Sequence, residues 1–407
     1  MVDIALVVLL TTAIAIGYFL GRRSSQDKPP ASHPLAFNKN YFQGLNYLLN
    51  EQPDKAVDAF IESLDVNANT LETHLALGKL MRKQGQVDRA IRIHQNLLAR
   101  PQLDAEHQHQ AHLELARDFM AAGLLDRAEM LLKEVIAESV SLRSIAQRYL
   151  LDIFQDEREW LEAVQVAEAL AQSRFVKASA DKRLEMSRMI AHFYCELAEE
   201  ARQKNDSVAE RKFLEKALVV EKNSLRAALH IGALDNAEQR HKQAVKVLSR
   251  ASAQNPARLA ECLPELFSAY VALDPGGGFN EVLGYVESQV SVYPSTTAIL
   301  FMVDQLLIRA QTEPSRAQQA QELLSRYLRD HPSLAGLSKA IALQLPRLSP
   351  DVAGDVASLH DLVQQLLQKR LIYKCSNCGF GGRQLHWRCP SCKRWDKMDR
   401  VKGIEAD

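Results

Sequence analysis

From about residue 37 to residue 371 the apolar positions recur every three or four residues, in runs of roughly a dozen to a score, which is the period of amphipathic α-helices. Short polar breaks separate the runs: Glu51-Gln52-Pro53-Asp54, Gln84-Gly85-Gln86, Ala122-Gly123 and Asn205-Asp206. Across these breaks a small residue on one predicted helix is followed twelve positions later by Ala on the next. The pairs are Gly44/Ala56, Gly78/Ala90, Ala116/Ala128 and Gly232/Ala244, while Leu151/Ala163 and Ala198/Glu210 keep the spacing and break the residue rule once each. Small side chains at a fixed offset predict paired helices that cross closely. A second ruler appears later, where Pro256, Pro294 and Pro332 lie 38 residues apart, each at the end of a predicted helix. Residues 171–190 fall out of step and read as an insertion or a lengthened helix.

The stretches YFQGLNYLLNEQPDKAVDAFIESL and HLALGKLMRKQGQVDRAIRIHQNLL resemble the tetratricopeptide repeat. Gly44, Tyr47, Ala56 and Phe60 occupy that family's signature positions in the first, and Gly78 and Ala90 in the second, where Met81 and His94 fill the larger slots. The resemblance implies a superhelical solenoid, whose inner surface is expected to grip a helix or peptide.

Two segments do not follow the helical-repeat pattern. Ile4–Leu20 is uncharged and long enough for a short membrane-spanning helix. Asp3 precedes it and Arg22, Arg23 and Lys28 come after, the reverse of a signal peptide, so the positive-inside rule places the N-terminus outside and the rest in the cytoplasm. A Pro-containing linker then ties the helical repeats to the membrane. At the other end, YKCSNCGF and WRCPSCKRW carry four of the chain's six cysteines. Cys375, Cys378, Cys389 and Cys392 form two CxxC knuckles ten residues apart, a spacing suited to one tetrahedral metal ion on four thiolates. Zinc and iron both accept that ligand set; four thiolates close the coordination sphere, which suits a structural metal, and the short stretch between the knuckles and the missing second glycine favour zinc over rubredoxin-type iron. Gly379 can take the left-handed turn after the first knuckle, whereas Lys393 stands at the matching place after the second. Tyr373, Phe380, Trp387 and Trp395 are expected to form the core of this small module, which resembles a rubredoxin or zinc-ribbon pair of knuckles.

The domain plan is therefore a transmembrane anchor at 1–21, a linker at 22–36, an all-α solenoid of about eight helix pairs at 37–354, a final helix at 355–371 and a rubredoxin-like metal module at 372–407. Composition adds one feature. Lys plus Arg and Asp plus Glu both number 50, so no global field attracts nucleic acid, yet residues 369–402 hold ten basic side chains against two acidic ones. Such a patch suits anionic headgroups or nucleic acid, or simply solvates a small domain. Chemistry is sparse elsewhere. Asp274-Pro275-Gly276-Gly277-Gly278 lacks the strand and the Lys-Ser/Thr of a phosphate loop. His107, His109 and His112 have no third ligand in register and are expected to face solvent. No catalytic residue and no enzyme motif emerges.

Anchor, repeats and metal module in this order resemble the lipopolysaccharide assembly protein B family of Gram-negative inner membranes. The resemblance implies a non-enzymatic adaptor. Its expected partners are an FtsH-type membrane AAA+ protease and the deacetylase of the lipid A pathway, with lipopolysaccharide or its transport machinery and self-association as further candidates and no nucleic acid. The alternative from the residues alone is a membrane-tethered metal ribbon that binds nucleic acid or transfers electrons as rubredoxin does.

Overall fold

The computed structural model describes residues 71–100, 103–173, 179–401 and 403, with Thr12, Tyr18, Asn46, Tyr47 and Lys55. The expected anchor helix and the linker lie outside the described residues apart from Thr12 and Tyr18, as do Gly44, Ala56 and Phe60 of the first repeat. Among the described residues no helix is long and apolar enough to cross a membrane.

Sixteen α-helices are described. They are α1 (Leu71–Lys83), α2 (Val87–Leu98), α3 (Ala105–Ala121), α4 (Leu125–Glu138), α5 (Arg143–Glu157), α6 (Trp160–Ala171), α7 (Ala180–Gln203), α8 (Ser207–Val220), α9 (Leu225–Ala237), α10 (His241–Gln254), α11 (Leu259–Leu273), α12 (Gly278–Val292), α13 (Thr296–Arg309), α14 (Ser315–Asp330), α15 (Leu334–Gln344) and α16 (Pro350–Lys369). Local chemistry sets their ends. The side chains of Asp104, Ser179, Asp206, Ser224, Ser295 and Ser333 each accept a hydrogen bond from an amide of the first turn. Pro256, Pro294 and Pro332 each lie two residues past a helix end. The residue before each, Asn255, Tyr293 or His331, has left the helical region, as the proline ring requires.

The first five described pairs share one turn. Gly85, Gly123, Arg158, Asn205 and Gln239 all have positive φ, between 58° and 79°, and each lies seven residues after the first-helix signature position. In every case the next amide donates back five residues, from Gln86 to Met81, Leu124 to Phe119, Glu159 to Phe154, Asp206 to Ala201 and Arg240 to Asp235. Only two of the five residues are glycine, so the turn's hydrogen bonds hold the left-handed residue where sequence preference does not.

The close approach between paired helices is real, but the small residue faces a position sixteen on rather than twelve. A Cβ on Gly78 would collide with the His94 ring, and one on Gly232 would lie 2.6 Å from Leu248. The same offset links Ala116 with Leu132 and Ala198 with Leu214, both fully buried. Where the first position is Leu151, the residue sixteen on is Ala167, also fully buried. Volume is conserved across the pair, which explains how the residue rule breaks without loss of packing.

The described chain divides into two compact units, 1–146 and 147–407. In the first, Arg82 of α1 reaches Glu114 at 2.7 Å and Asp118 at 2.5 Å on α3, and His94 Nδ1 lies 2.5 Å from the other Asp118 oxygen. His94 thus fills a large core slot and also ties its pair to the next repeat. The second unit holds the longest described helix, α7, 24 residues long, which takes in residues 180–190 of the out-of-step segment. Its apolar core runs through α11 to α14 around Phe279, Val286, Ile299, Met302 and Leu324. After α16 the chain folds into a three-stranded antiparallel sheet of β1 (Tyr373–Cys375), β2 (Gly381–Gly382) and β3 (Met398–Arg400) in the order β2-β1-β3.

Candidate metal centre and its docking surface

Each cysteine pair sits on a tight turn, and the two turns are built alike. The Cys375 amide donates to the Phe380 carbonyl at 2.7 Å, and the Cys389 amide to the Arg394 carbonyl at 2.9 Å. Gly379 N–H returns to Cys375 O and Lys393 N–H to Cys389 O, both at 2.9 Å. Gly379 has φ 79° and Lys393 φ 57°. The missing second glycine therefore costs the turn nothing in geometry, because the same pair of hydrogen bonds imposes the left-handed backbone on lysine.

The four sulfurs converge. Cys375 Sγ lies 3.7 Å from Cys392 Sγ and Cys378 Sγ 3.6 Å from Cys389 Sγ, and all four lie within 4.8 Å of one another. A tetrahedral metal at a thiolate bond of about 2.3 Å requires sulfur–sulfur edges of about 3.8 Å, so the donor set fits zinc or iron. Backbone amides prepare the thiolates. The Phe380 amide pulls the Cys378 thiol below its ordinary value, and the Arg394 amide leads the groups that bring Cys392 down to about 6. Burial pushes Cys389 up to about 11, the desolvation that a bound cation would offset. Four sulfurs leave no open position for a reacting water, so the centre is suited to holding structure.

The aromatic residues divide in a way the sequence did not reveal. Tyr373 and Met398 are buried with Cys375 and Cys389, and Phe380 and Leu385 pack against them. Trp387 and Trp395 do not join that core. Trp395 stacks on His192 of α7 at 4.7 Å between centroids and 17° between planes, and meets Phe193 and Trp160 edge-on at 6.0 and 6.3 Å. Its indole N–H donates to Gln155 at 2.9 Å. Trp387 packs instead against the buried cluster of Leu225, Ala228, Ala251 and Cys262 in the repeats. So small a module has a core that one hydrophobic layer fills, and the two indoles are left for the helices.

Charges complete the docking. Arg388 and Lys393 both reach Asp156 at the end of α5, at 3.0 and 2.5 Å. Arg400 bonds Glu261 at 2.9 Å and Thr297 at 2.8 Å, and Tyr373 OH donates to the same Glu261. Asp396 accepts from His192 Nε2 at 2.8 Å. The desolvation of Asp396 would raise its carboxyl, but the His192 contact and nearby arginines outweigh it and hold the group below its ordinary value. Three of the ten basic side chains of residues 369–402 are thus paired with the solenoid. The ribbon contacts α5, α7, α9, α11 and α13, the first helices of successive pairs. His192 was not singled out from the sequence; a lone polar residue inside the buried run Ile190–Cys195 was the available signal.

The other candidates do different work. His107 bonds Asp104 and His109 meets Glu138, while burial lowers the pKa of His112. His107 keeps a side chain 40% exposed, as expected, whereas His109 and His112 are half-buried, and among the described residues the four cysteines form the only converging metal-type cluster. Asp274 accepts from the Gly276 amide in a turn that leads into α12.

Known proteins agree with this layout. Residues 373–399 match the family described as rubredoxin metal binding domain. Lipopolysaccharide assembly protein B of Escherichia coli K12 is 35% identical over 404 residues, covering 98% of this chain and 99% of that protein. The chain belongs to the lipopolysaccharide assembly protein B family. The Haemophilus influenzae member is 32% identical over 411 residues, 98% of each chain. Among solved structures, the C-terminal part of a TPR repeat-containing protein from Cytophaga hutchinsonii is similar over 69% of this chain and 98% of its own, at 14% identity and a TM-score of 0.34, a loose likeness.

Proposed function

We propose that this chain is a non-enzymatic adaptor in lipopolysaccharide assembly, anchored in the inner membrane by Ile4–Leu20 with its N-terminus periplasmic. In this reading it presents the lipid A pathway deacetylase to an FtsH-type AAA+ protease and so limits output of the pathway. The observation that carries the reading is kinship along nearly the whole chain, at 35% identity, with proteins named for lipopolysaccharide assembly. A helical-repeat body and a closed four-sulfur centre are consistent with a role in holding partners. Anchoring confines adaptor, client and protease to one surface, which raises effective concentration without new contacts. The metal is zinc in this proposal and serves to fold the ribbon.

Affinity capture of the full chain after mild crosslinking, with mass spectrometry of the partners, tests the adaptor role. Recovery of a membrane protease together with a lipid A enzyme, and a longer deacetylase half-life in cells lacking the chain, is the expected result. Recovery of neither partner with an unchanged half-life would overturn it.

A further inference from the structure

Among the described helices, exposed large apolar side chains are scattered, and only α16 shows more than two of them. On α16, Val352, Leu359, Leu362 and Leu366 are 48–61% exposed. Together with the exposed Asp355 and Lys369 they keep the alternating three- and four-residue spacing of a coiled-coil seam along nearly the whole helix. The opposite face meets α15, where Gln364 Nε2 donates to Ser338 Oγ at 2.7 Å. No residue of α16 is fully buried, so the helix is held from one side only. It is also the last helix of the repeats. The terminal helix of a solenoid usually turns a polar face outward, because no further repeat covers it. Here that face carries leucines in register, and a contiguous apolar patch of this kind marks a contact surface.

The charges on the same face discriminate between occupants. Asp351, Asp355 and Asp361 are exposed there against one lysine, Lys369. An anionic membrane surface is therefore repelled, and the basic polar face of an interfacial helix is missing. The order of the charges matters more. Asp351 and Asp355 stand near the start of α16 and Lys369 at its end. A second copy lying parallel would set acid against acid and lysine against lysine. Lying antiparallel about a two-fold axis between Leu359 and Leu362, it sets Leu359 against Leu362 and Lys369 against Val352, next to Asp351, at both ends. The stem of Lys369 then covers Val352 while its ammonium lies within reach of Asp351 and Asp355. The helix dipoles are opposed in the same arrangement. The face is thus complementary to itself under a two-fold, as an isologous dimer requires.

We propose that α16 is a dimer seam, pairing antiparallel with α16 of a second copy of this chain. One helix 20 residues long offers about 30 Å of contact, the small end of specific interfaces, so the association is weak and reversible, in the micromolar range. A pair joined there presents two repeat bodies to one multivalent partner.

Sedimentation equilibrium of the full, metal-loaded chain in density-matched mild detergent tests the pairing. A monomer–dimer equilibrium is expected, weakened about tenfold or more in Leu362→Asp, which places a charge at the centre of the seam. Leu362 is exposed in the single chain, so this variant keeps its fold, as metal content and circular dichroism verify. Val219→Asp, the same kind of change at an exposed position on α8, associates as the wild type does. Asp351→Lys/Asp355→Lys and Lys369→Glu each self-associate less than the wild type, and an equimolar mixture of the two regains the dimer, because each supplies the charges the other lacks. A chain that stays monomeric well above the micromolar range overturns the proposal. So does a dimer that persists unchanged in Leu362→Asp, an equal loss in Val219→Asp, or a mixture that associates no better than its components.

Discussion

Replacing Trp395 with alanine separates two roles that an aromatic residue in a metal ribbon can have. If Trp395 belonged to the ribbon's core, its loss would loosen the cysteine turns and release metal. The structure assigns it to docking, because its ring contacts are with His192, Phe193 and Trp160 of the repeats. Three aromatic contacts at about 0.5–1.5 kcal/mol each, plus an indole hydrogen bond worth about 1 kcal/mol, give about 2.5–5.5 kcal/mol of docking free energy. That is a shift of roughly two to four orders of magnitude in the docked-to-free ratio. The assay is hydrogen exchange on peptides spanning residues 152–164 and 186–198, with metal content measured on the same sample. Exchange in those peptides is expected to rise by about a hundredfold or more while one metal per chain is retained. Met398→Ala, which opens the ribbon's own core, is expected to do the opposite and release metal first. Metal loss in Trp395→Ala, or exchange no faster than wild type, would refute the docking assignment.

Three further substitutions probe the same contacts. Cys375→Ser/Cys378→Ser leaves two thiols and should abolish metal binding, unfold the ribbon and lower the melting temperature, since a structural metal contributes folding free energy directly; an unchanged melting curve would count against a structural centre. Gly232→Ala drives a methyl into Leu248 and should cost about 1–3 kcal/mol by denaturant titration, with Gly232→Ala/Leu248→Ala less destabilised than the two single changes added together. His230 is half-buried and its pKa is lowered to about 4, chiefly by desolvation and then by Arg226. The unfolded chain therefore binds the extra proton first, so stability is full above about pH 6.5 and falls as pH drops towards 4. His230→Gln should flatten that part of the pH–stability curve relative to wild type, with both proteins carrying the same metal.

Periodicity and spacing carried much of this architecture because both are local. The interval between Gly78 and Ala90 reports a helix pair without knowledge of the rest of the chain, and two CxxC knuckles bring four sulfurs together through turns that each knuckle builds for itself. Lys393 shows the limit of residue preference, since it adopts a glycine's backbone when two hydrogen bonds require it. The offset of sixteen was hidden for a different reason. The small residue and its large neighbour, such as Gly232 and Leu248, are complementary in volume, and a search for matching small residues finds Ala244 instead. The division of the tryptophans was not legible at all. Trp387 and Trp395 flank the knuckles as core residues would, and only a surface more than 130 residues away in sequence, at Leu225 and His192, decides otherwise.

That long-range docking changes what the repeats can offer a partner. In a solenoid of this kind the first helices of successive pairs are the natural surface for gripping a helix or peptide. From α5 to α13 part of that surface already holds the ribbon, through Asp156, His192, Glu261 and Thr297. A client meeting this stretch must either bind beside the ribbon or displace it, and displacement would cost the indole contacts and at least four charged pairs. Metal, docking and groove access are therefore linked in one equilibrium. Loss of a metal from the four cysteines is expected to unfold the ribbon and uncover Trp160, Phe193 and Leu225, and whatever stabilises the docked ribbon keeps them covered. The four cysteines leave no open coordination position in this arrangement. They act on the repeats by holding two tryptophans and three basic side chains in register with one face of the helices.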